Sequence, residues 1–174
     1  MTRSPDPPEY RAGRLHVRRE HGVLPDGRPV SYHAVRVPAV AYVLPLLEDG
    51  RVVLIRQYRP VVGAEIWELP AGTIEPGESP DACAYRELCE EAGYAAGRLE
   101  PLGEALADPG LTDERIFLFV ARDLRAVARG LDADEHIRVV PMPLADAYRM
   151  ADAGDILDAG TIIALLRYRS RADR

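Results

Sequence analysis

Runs of hydrophobic residues with turn signals between them predict that this chain is built mainly from β-strands. The first two pairs of strands flank the turn sequences Pro-Asp-Gly and Glu-Asp-Gly. Rich in Val, Ile and Leu, the second pair is typical of central core strands. The predicted strands span residues 14–20, 30–37, 40–47, 52–59, 66–69, 99–107, 115–120 and 137–141.

Helices are predicted at residues 80–92, 144–150 and 158–168. Ser79 is a suitable N-cap for the first helix, Pro80 suits its first position, and Gly93 is the expected left-handed stop. Strands in excess over helices predict an α+β fold, with a mixed β-sheet in an α/β/α sandwich. The first strand pair is expected to form an N-terminal antiparallel β extension.

Composition narrows the class of protein. The chain has 174 residues, of which 47% are hydrophobic and 29% charged, as expected for one compact globular domain. Its net charge is −6, which argues against nucleic acid as a partner. All 22 basic side chains are arginine, so any side-chain cation that binds phosphate must be arginine.

Cysteine usage and hydropathy bear on location. Cys83 and Cys89 lie on different faces of the predicted helix and cannot pair there, which is typical of a reduced, cytoplasmic protein. The longest apolar run, residues 37–47, is too short to span a bilayer, and no signal peptide is recognised, so no membrane partner is expected.

Three glutamates on the predicted helix suggest a metal site. Glu87, Glu90 and Glu91 stand at i, i+3 and i+4, and like charges at these spacings destabilise a helix unless a cation lies between them. Mg²⁺ and Mn²⁺ are hard cations that prefer oxygen ligands, so they suit these carboxylates. Gly72 lets the preceding chain approach, so the carbonyl oxygen of Ala71 is a candidate further ligand. The alternative is a solvated acidic helix face.

The segment GTIEPGESPDACAYRELCEEAGY, from Gly72 to Tyr94, resembles the signature of the Nudix hydrolases, called the Nudix box. Only Tyr94 departs from it, standing where an aliphatic residue is usual. The fixed letters of the signature are Gly72, Glu78, Arg86, Glu87, Glu90, Glu91 and Gly93.

The resemblance implies a Nudix-type sandwich in residues 38–174, preceded by a tail and β-hairpin extension in residues 1–37. It implies that Glu87, Glu90 and Glu91 bind two or three divalent cations. Arg86 counts among the candidate catalytic residues, although an orienting ion pair with Glu78 is the favoured role.

Flanking motifs resemble the ADP-ribose pyrophosphatase branch of that family. They are RQYR at residues 56–59, ELPAG at residues 68–72, the loop that contains Pro109, and DAGT at residues 158–161. The resemblance implies that Pro109 governs specificity. It also implies a nucleoside diphosphate sugar as substrate and a homodimer in which residues 14–37 reach a partner and help to hold the base.

Further substrate contacts are expected from four side chains. Arg59, and secondarily Arg56, are candidates for the diphosphate because guanidinium binds phosphate in a bidentate way. Trp67 either stacks on the base or packs in the core. Glu114 either contacts the terminal ribose or braces its loop.

The loop before the last predicted strand departs from the branch. Members often place Glu-x-Glu there, as general base and metal ligand, whereas this chain has Ala133 and Glu135. Glu135 is therefore a candidate base and metal ligand, with Glu90 as the alternative base.

Together these features predict metal-dependent hydrolysis of ADP-ribose to AMP and ribose 5-phosphate. The alternatives are hydrolysis of another nucleoside diphosphate sugar, such as GDP-mannose, or a non-catalytic ADP-ribose-binding module.

Overall fold

A computed structural model describes residues 9–130 and 136–172 of the chain. Residues 1–8, residues 131–135 with the candidate Glu135, and residues 173–174 lie outside the described residues. The chain forms two compact units. Unit 1 comprises residues 9–39 and Leu106–Arg115, and unit 2 comprises Val40–Ala105 and the described residues from 116 onward.

Unit 1 is organised by a three-stranded antiparallel sheet of β1 (Tyr10–Ala12), β2 (Leu15–Val23) and β3 (Pro29–Arg36). A buried Glu20 on β2 accepts hydrogen bonds from Arg36 (Nε, 2.9 Å) and from the Tyr32 hydroxyl (3.2 Å), both on β3. These bonds tie the hairpin together across its face. The predicted N-terminal antiparallel extension is confirmed.

Unit 2 contains two sheets. One is antiparallel, in the order β10-β5-β6, and the other is mixed, in the order β7-β4-β9-β8, because β4 and β9 run parallel. The strands are β4 (Val40–Pro45), β5 (Arg51–Arg59), β6 (Ala64–Glu68), β7 (Ala71–Thr73), β8 (Tyr94–Leu106), β9 (Arg115–Ala126) and β10 (Ile137–Pro143).

Helices cover both faces of these strands. The first, α1 (Pro80–Glu87), continues into one π-helical turn (Leu88–Ala92), and the name α1 is used below for the helix together with this turn. The others are α2 (Leu144–Ala153) and α3 (Ala159–Ala172). Within the described ranges, no helix is both long and apolar enough to cross a membrane.

The core follows from the period-two alternation of the strands. On β4, Val43 belongs to the apolar cluster that contains Ala84 and Leu88 of α1, whereas its neighbour Leu44 belongs to the cluster that contains Leu165 of α3. Successive strand residues therefore pack against helices on opposite faces. This arrangement confirms the predicted α+β fold with an α/β/α sandwich.

The structure differs locally from the sequence-based expectations. Strands β1 and β7 were not predicted, since three residues are too few to show a periodic pattern. Strand β7 instead forms by pairing with β4. The predicted helix at residues 80–92 exists, but its last turn is wound more loosely than an α-helix.

Candidate active site

Helix α1 begins and ends as its sequence predicts. The Ser79 hydroxyl accepts a hydrogen bond from the Ala82 amide (3.4 Å), Pro80 occupies the first turn, and Gly93 adopts a left-handed conformation with φ of 74°. These signals set the register of the helix. That register buries Glu87 and Glu91, at 8% and 2% exposure, in a protein interior where unpaired carboxylates are costly.

Gly72 and Glu87 are in close contact. A β-carbon added to Gly72 would lie 1.8 Å from Oε1 of Glu87, far inside the contact distance. Only glycine therefore allows the Glu87 carboxylate to lie against the β7 backbone.

Arg86 organises the acidic residues around it. Its Nη1 donates to Oε1 of Glu87 (2.6 Å) and to Oε2 of Glu90 (3.0 Å), while Nε donates to Oε1 of Glu78 (2.9 Å). Its Nη2 donates to a second oxygen of Glu78 (3.1 Å) and to the Thr73 carbonyl (3.2 Å). The expected ion pair between Arg86 and Glu78 is thus present.

Hydrogen bonds from Arg86 lower the pKa of Glu78 to about 2. Hydrogen bonds to Glu78, Glu87 and Glu90 raise the pKa of Arg86 further above its usual range, so this guanidinium stays charged. Glu78 therefore remains ionised and holds the loop before α1 against the helix.

Glu91 approaches the chain just before Gly72. Its Oε2 accepts a hydrogen bond from the Ala71 amide (2.8 Å), so Ala71 lies beside Glu91. This bond joins the end of α1 to the start of β7. The role of the Ala71 carbonyl as a metal ligand stays a prediction.

The three carboxylates are grouped around Arg86 and Ala71 rather than around a common centre. Over residues 9–130 and 136–172, no three acidic, His or Cys side chains converge as a preformed cation site. One guanidinium nitrogen already bridges Glu87 and Glu90. Glu87, Glu90 and Glu91 supply the carboxylate oxygens that a hard divalent cation prefers, and in this structure the Arg86 guanidinium neutralises two of them.

Two candidate arginines project from β5 beside β6. Arg59 forms a bidentate ion pair with the buried Glu68, with Nε–Oε1 and Nη2–Oε2 distances of 2.9 and 2.7 Å. Burial raises the pKa of Glu68, against the opposing effect of Arg59. The guanidinium of Arg56 lies 5.3 Å from the Trp67 ring centre, within cation–π range.

Trp67 also packs against the apolar cluster that contains Leu44 and Leu165, so the core-packing interpretation of this residue describes part of its environment. Its stacking on a base stays a prediction, as do the diphosphate contacts of Arg56 and Arg59.

The remaining substrate candidates belong to unit 1. Pro109 lines a cavity of about 480 Å³ together with residues of β3 such as Tyr32 and Arg36. Glu114 is half-buried, and burial raises its pKa. The structure does not describe Glu135, so the choice between Glu135 and Glu90 as general base stays open.

The sequence gives no individual role to a set of hydrogen-bonded polar residues that joins β4 and α3 to the chain just before β7. The hydroxyl of Tyr42 donates to Oδ1 of Asp158 (3.1 Å), Oδ2 of Asp158 accepts from the Thr161 amide (2.8 Å), and Oγ1 of Thr161 accepts from the Leu69 amide (2.8 Å). Two of these residues, Asp158 and Thr161, belong to the DAGT motif at residues 158–161, which resembles the ADP-ribose pyrophosphatase branch.

The sequence profile of the NUDIX domain matches residues 35–164, most of the chain. This range contains the whole of α1, Gly72 and the ion pairs of Arg86. The chain belongs to the Nudix family.

Relatives from bacteria resemble this Nudix protein over most of its length. The ADP-ribose pyrophosphatase of Bacillus subtilis (strain 168) is 34% identical over 144 residues, which are 82% of this chain and 78% of the relative. The GDP-mannose pyrophosphatase of Citrobacter koseri is 36% identical over 127 residues, 68% and 66% of the two chains. A crystal structure of an ADP compounds hydrolase has a TM-score of 0.85 and 25% identity, covering 99% of this chain and 94% of that one.

These similarities make the chain an ADP-ribose pyrophosphatase-like Nudix pyrophosphohydrolase, whose substrates are nucleoside diphosphate sugars. They favour an enzyme over the non-catalytic binding module. Nudix hydrolases generally require a divalent cation.

Proposed function

We propose that this Nudix enzyme hydrolyses the pyrophosphate bond of ADP-ribose and releases AMP and ribose 5-phosphate, with Mg²⁺ or Mn²⁺ as cofactor. The observation that carries this proposal is the grouping of Glu87, Glu90 and Glu91 around Arg86 and the β7 backbone. The ADP-ribose specificity is supported by the flanking motifs and by the similarity to an ADP-ribose pyrophosphatase.

Glu87, Glu90 and Glu91 would hold two or three cations, with the Ala71 carbonyl and Glu135 as further ligands. Bound cations would neutralise charge on the phosphoryl oxygens and lower the pKa of a bound water. Glu90 is the more exposed of the helix carboxylates, at 41% of its side chain, against 11% for Glu87. This exposure suits Glu90 to take a proton from water, as the alternative to Glu135.

Arg86 would orient Glu87 and Glu90 through its shared Nη1. Arg59 and Arg56 would bind the diphosphate, and Trp67 would lie against the base. Arg59 uses Nε and Nη2 on Glu68, so the ion pair holds its guanidinium in one orientation. Such preorganisation lowers the entropic cost of binding a phosphate. Pro109 would govern specificity, and Glu114 would either contact the terminal ribose or brace its loop.

A second substrate is favoured by a specific similarity. The Citrobacter koseri relative is named GDP-mannose pyrophosphatase, so another nucleoside diphosphate sugar of this type is the alternative. The two proposals share the metal-binding residues and differ in the base and the sugar.

Steady-state turnover tests both proposals. The protein is supplied with ADP-ribose or GDP-mannose, in Mg²⁺, in Mn²⁺ and in EDTA, and the products are separated by chromatography. We expect AMP and ribose 5-phosphate from ADP-ribose with either metal, a lower kcat/KM for GDP-mannose, and no turnover in EDTA. Faster turnover of GDP-mannose would contradict the assigned substrate, and full activity in EDTA would contradict the metal.

The proposal includes a homodimer in the cytoplasm, in which residues 14–37 help to bind the base of the partner's substrate. Light scattering of the whole chain would give the molar mass in solution. A mass near twice 19.2 kDa is expected, and a mass near 19.2 kDa at micromolar concentration would reject the dimer.

A further inference from the structure

The short segment from Leu69 to Ala71 is held by three different elements of unit 2. The Leu69 amide donates to Oγ1 of Thr161 on α3 (2.8 Å), the Pro70 carbonyl accepts from the Val43 amide on β4 (3.0 Å), and the Ala71 amide donates to Glu91 at the end of α1 (2.8 Å). Leu69 is itself fully buried. Each residue of the segment is thus anchored by a hydrogen bond at a different point.

Thr161 holds Leu69, at the opposite end of the segment from Ala71, and other hydrogen bonds fix the position of Thr161. Asp158 acts as the N-cap of α3, because its Oδ2 accepts from the Thr161 amide (2.8 Å) and its carbonyl accepts from the Ile162 amide (3.0 Å). Thr161 has no exposed surface. A cap of this kind fixes the first turn of the helix, and with it the direction of the Thr161 hydroxyl.

Tyr42 couples this cap to β4. Its hydroxyl donates to the second oxygen of Asp158 (3.1 Å), and burial together with the Asp158 charge raises its pKa, so it remains a donor. A β-carbon at Gly160 would lie only 2.4 Å from the Tyr42 ring. Glycine at this position therefore lets the ring lie directly over the first turn of α3.

The other end of the segment reaches the carboxylates of α1. Ala71 bonds to Glu91, and the next residue, Gly72, is in contact with Glu87. Only Pro70, whose ring fixes its φ, separates Leu69 from Ala71, so the chain has little freedom to absorb a shift at Leu69 before Ala71.

We infer that Thr161, oriented by Asp158 and Tyr42, is a positioning residue that holds residues 69–72 where Glu87 and Glu91 can bind a divalent cation. The inference rests on the proposed role of these two glutamates as metal ligands. Neither Thr161 nor Asp158 is proposed to touch substrate. Partners that hold metal ligands in place contribute about 10- to 100-fold to metal affinity or activity.

The test compares Thr161→Val, which replaces the hydroxyl with a methyl group of similar size, with Thr161→Ser, which keeps the hydroxyl. Binding of Mn²⁺ alone is measured by electron paramagnetic resonance, and kcat and KM are measured with the nucleoside diphosphate sugar that the parent cleaves fastest. We expect Thr161→Val to weaken Mn²⁺ binding and to lower kcat, each by about 10-fold or more, with little change in KM. Thr161→Ser should restore both values.

Ile163→Val is the matched control, since it removes one methyl group from the same helix in the apolar cluster around Leu165. It should lower the thermal midpoint while leaving Mn²⁺ affinity and kcat at the parent values. If Thr161→Val lowers only the thermal midpoint, as this control does, Thr161 is a purely structural residue and the inference is overturned.

Tyr42→Phe provides a second, milder variant if Thr161→Val does not fold. It removes the donor to Asp158 and should weaken Mn²⁺ binding in the same direction, whereas parental affinity and kcat in this variant would overturn the inference. If ADP-ribose is not the substrate, the experiment gives a different result from the one that overturns the role of Thr161. In that case the parent binds Mn²⁺ but cleaves a sugar nucleotide other than ADP-ribose, and the effect of each variant on Mn²⁺ affinity is unchanged.

Discussion

The Cα of Gly72 lies so close to the Glu87 carboxylate that a β-carbon there would fall 1.8 Å from Oε1. The main chain of β7 and a buried acidic side chain of α1 therefore occupy adjoining space that no other residue type leaves open. This contact explains why a glycine begins the signature segment. It also makes the position of Glu87 sensitive to a single methyl group.

Gly72→Ala should displace Glu87 and lower kcat by at least about 100-fold, because a misplacement of about 1 Å at a catalytic site has effects of that size. Circular dichroism should show that the fold persists. Gly130→Ala is the control, because its new β-carbon would lie 3.8 Å from Glu90 Cγ, an ordinary contact. Parental kcat in Gly72→Ala would show that the Glu87 position is unimportant for turnover.

Glu91→Gln should lower kcat by orders of magnitude while leaving the thermal midpoint nearly unchanged. The amide oxygen of glutamine can still accept the hydrogen bond from the Ala71 amide, whereas the charge that would bind a cation is lost. Turnover in saturating Mg²⁺ measures the effect. Glu48→Gln, on an exposed turn, is the control for loss of one negative charge. Parental turnover in Glu91→Gln would remove this residue from the metal site.

Glu78 should make stability depend on pH in the acidic range. Its pKa is about 2 in the folded protein because of hydrogen bonds from Arg86, against an ordinary value of 4.5. Since the unfolded chain binds this proton more readily, the ion pair stabilises fully above pH 4.5, and the contribution is lost as the pH falls toward 2.

Thermal midpoints of the parent and Glu78→Gln at pH 7 and pH 3 measure this contribution. The parent should have the higher thermal midpoint at pH 7, and the difference in thermal midpoint between parent and variant should be smaller at pH 3. A difference that stays constant between the two pH values would show that the Glu78 carboxylate does not titrate as described.

Arg59 should affect both stability and substrate binding. Arg59→Met leaves Glu68, with 5% of its side chain exposed, without its bidentate partner, which should lower the free energy of unfolding by about 1–3 kcal/mol. The KM for ADP-ribose should also rise, because the proposed diphosphate contact is lost. Urea unfolding and steady-state kinetics give the two quantities.

Adding Glu68→Gln to Arg59→Met separates the two effects. The neutral amide is cheaper to bury than an unpaired carboxylate, so part of the stability should return. The raised KM should remain, because the arginine is still missing. Recovery of the parental KM in the double variant would show that Arg59 does not bind substrate.

Much of the site could be predicted from sequence because its signals are local. Ser79, Pro80 and Gly93 specify where α1 begins and ends, and this register places Glu87, Glu90 and Glu91 within a few residues of one another. The ion pair of Arg86 with Glu78 spans only a loop and two turns of helix. Interactions at such short separations leave a readable pattern in the chain.

The sequence alone therefore determined the helix with its carboxylates, the core strands and the family. Tertiary structure decided how distant segments meet: the pairing of Arg59 with Glu68 across β5 and β6, the strand character of residues 71–73, and the bond from Leu69 to Thr161, which are 92 residues apart. Local propensity acts over a few residues, whereas these contacts form only when separate elements pack together. Once these polar groups are buried, losing any one of the contacts is costly, because polar groups removed from water need hydrogen-bond partners.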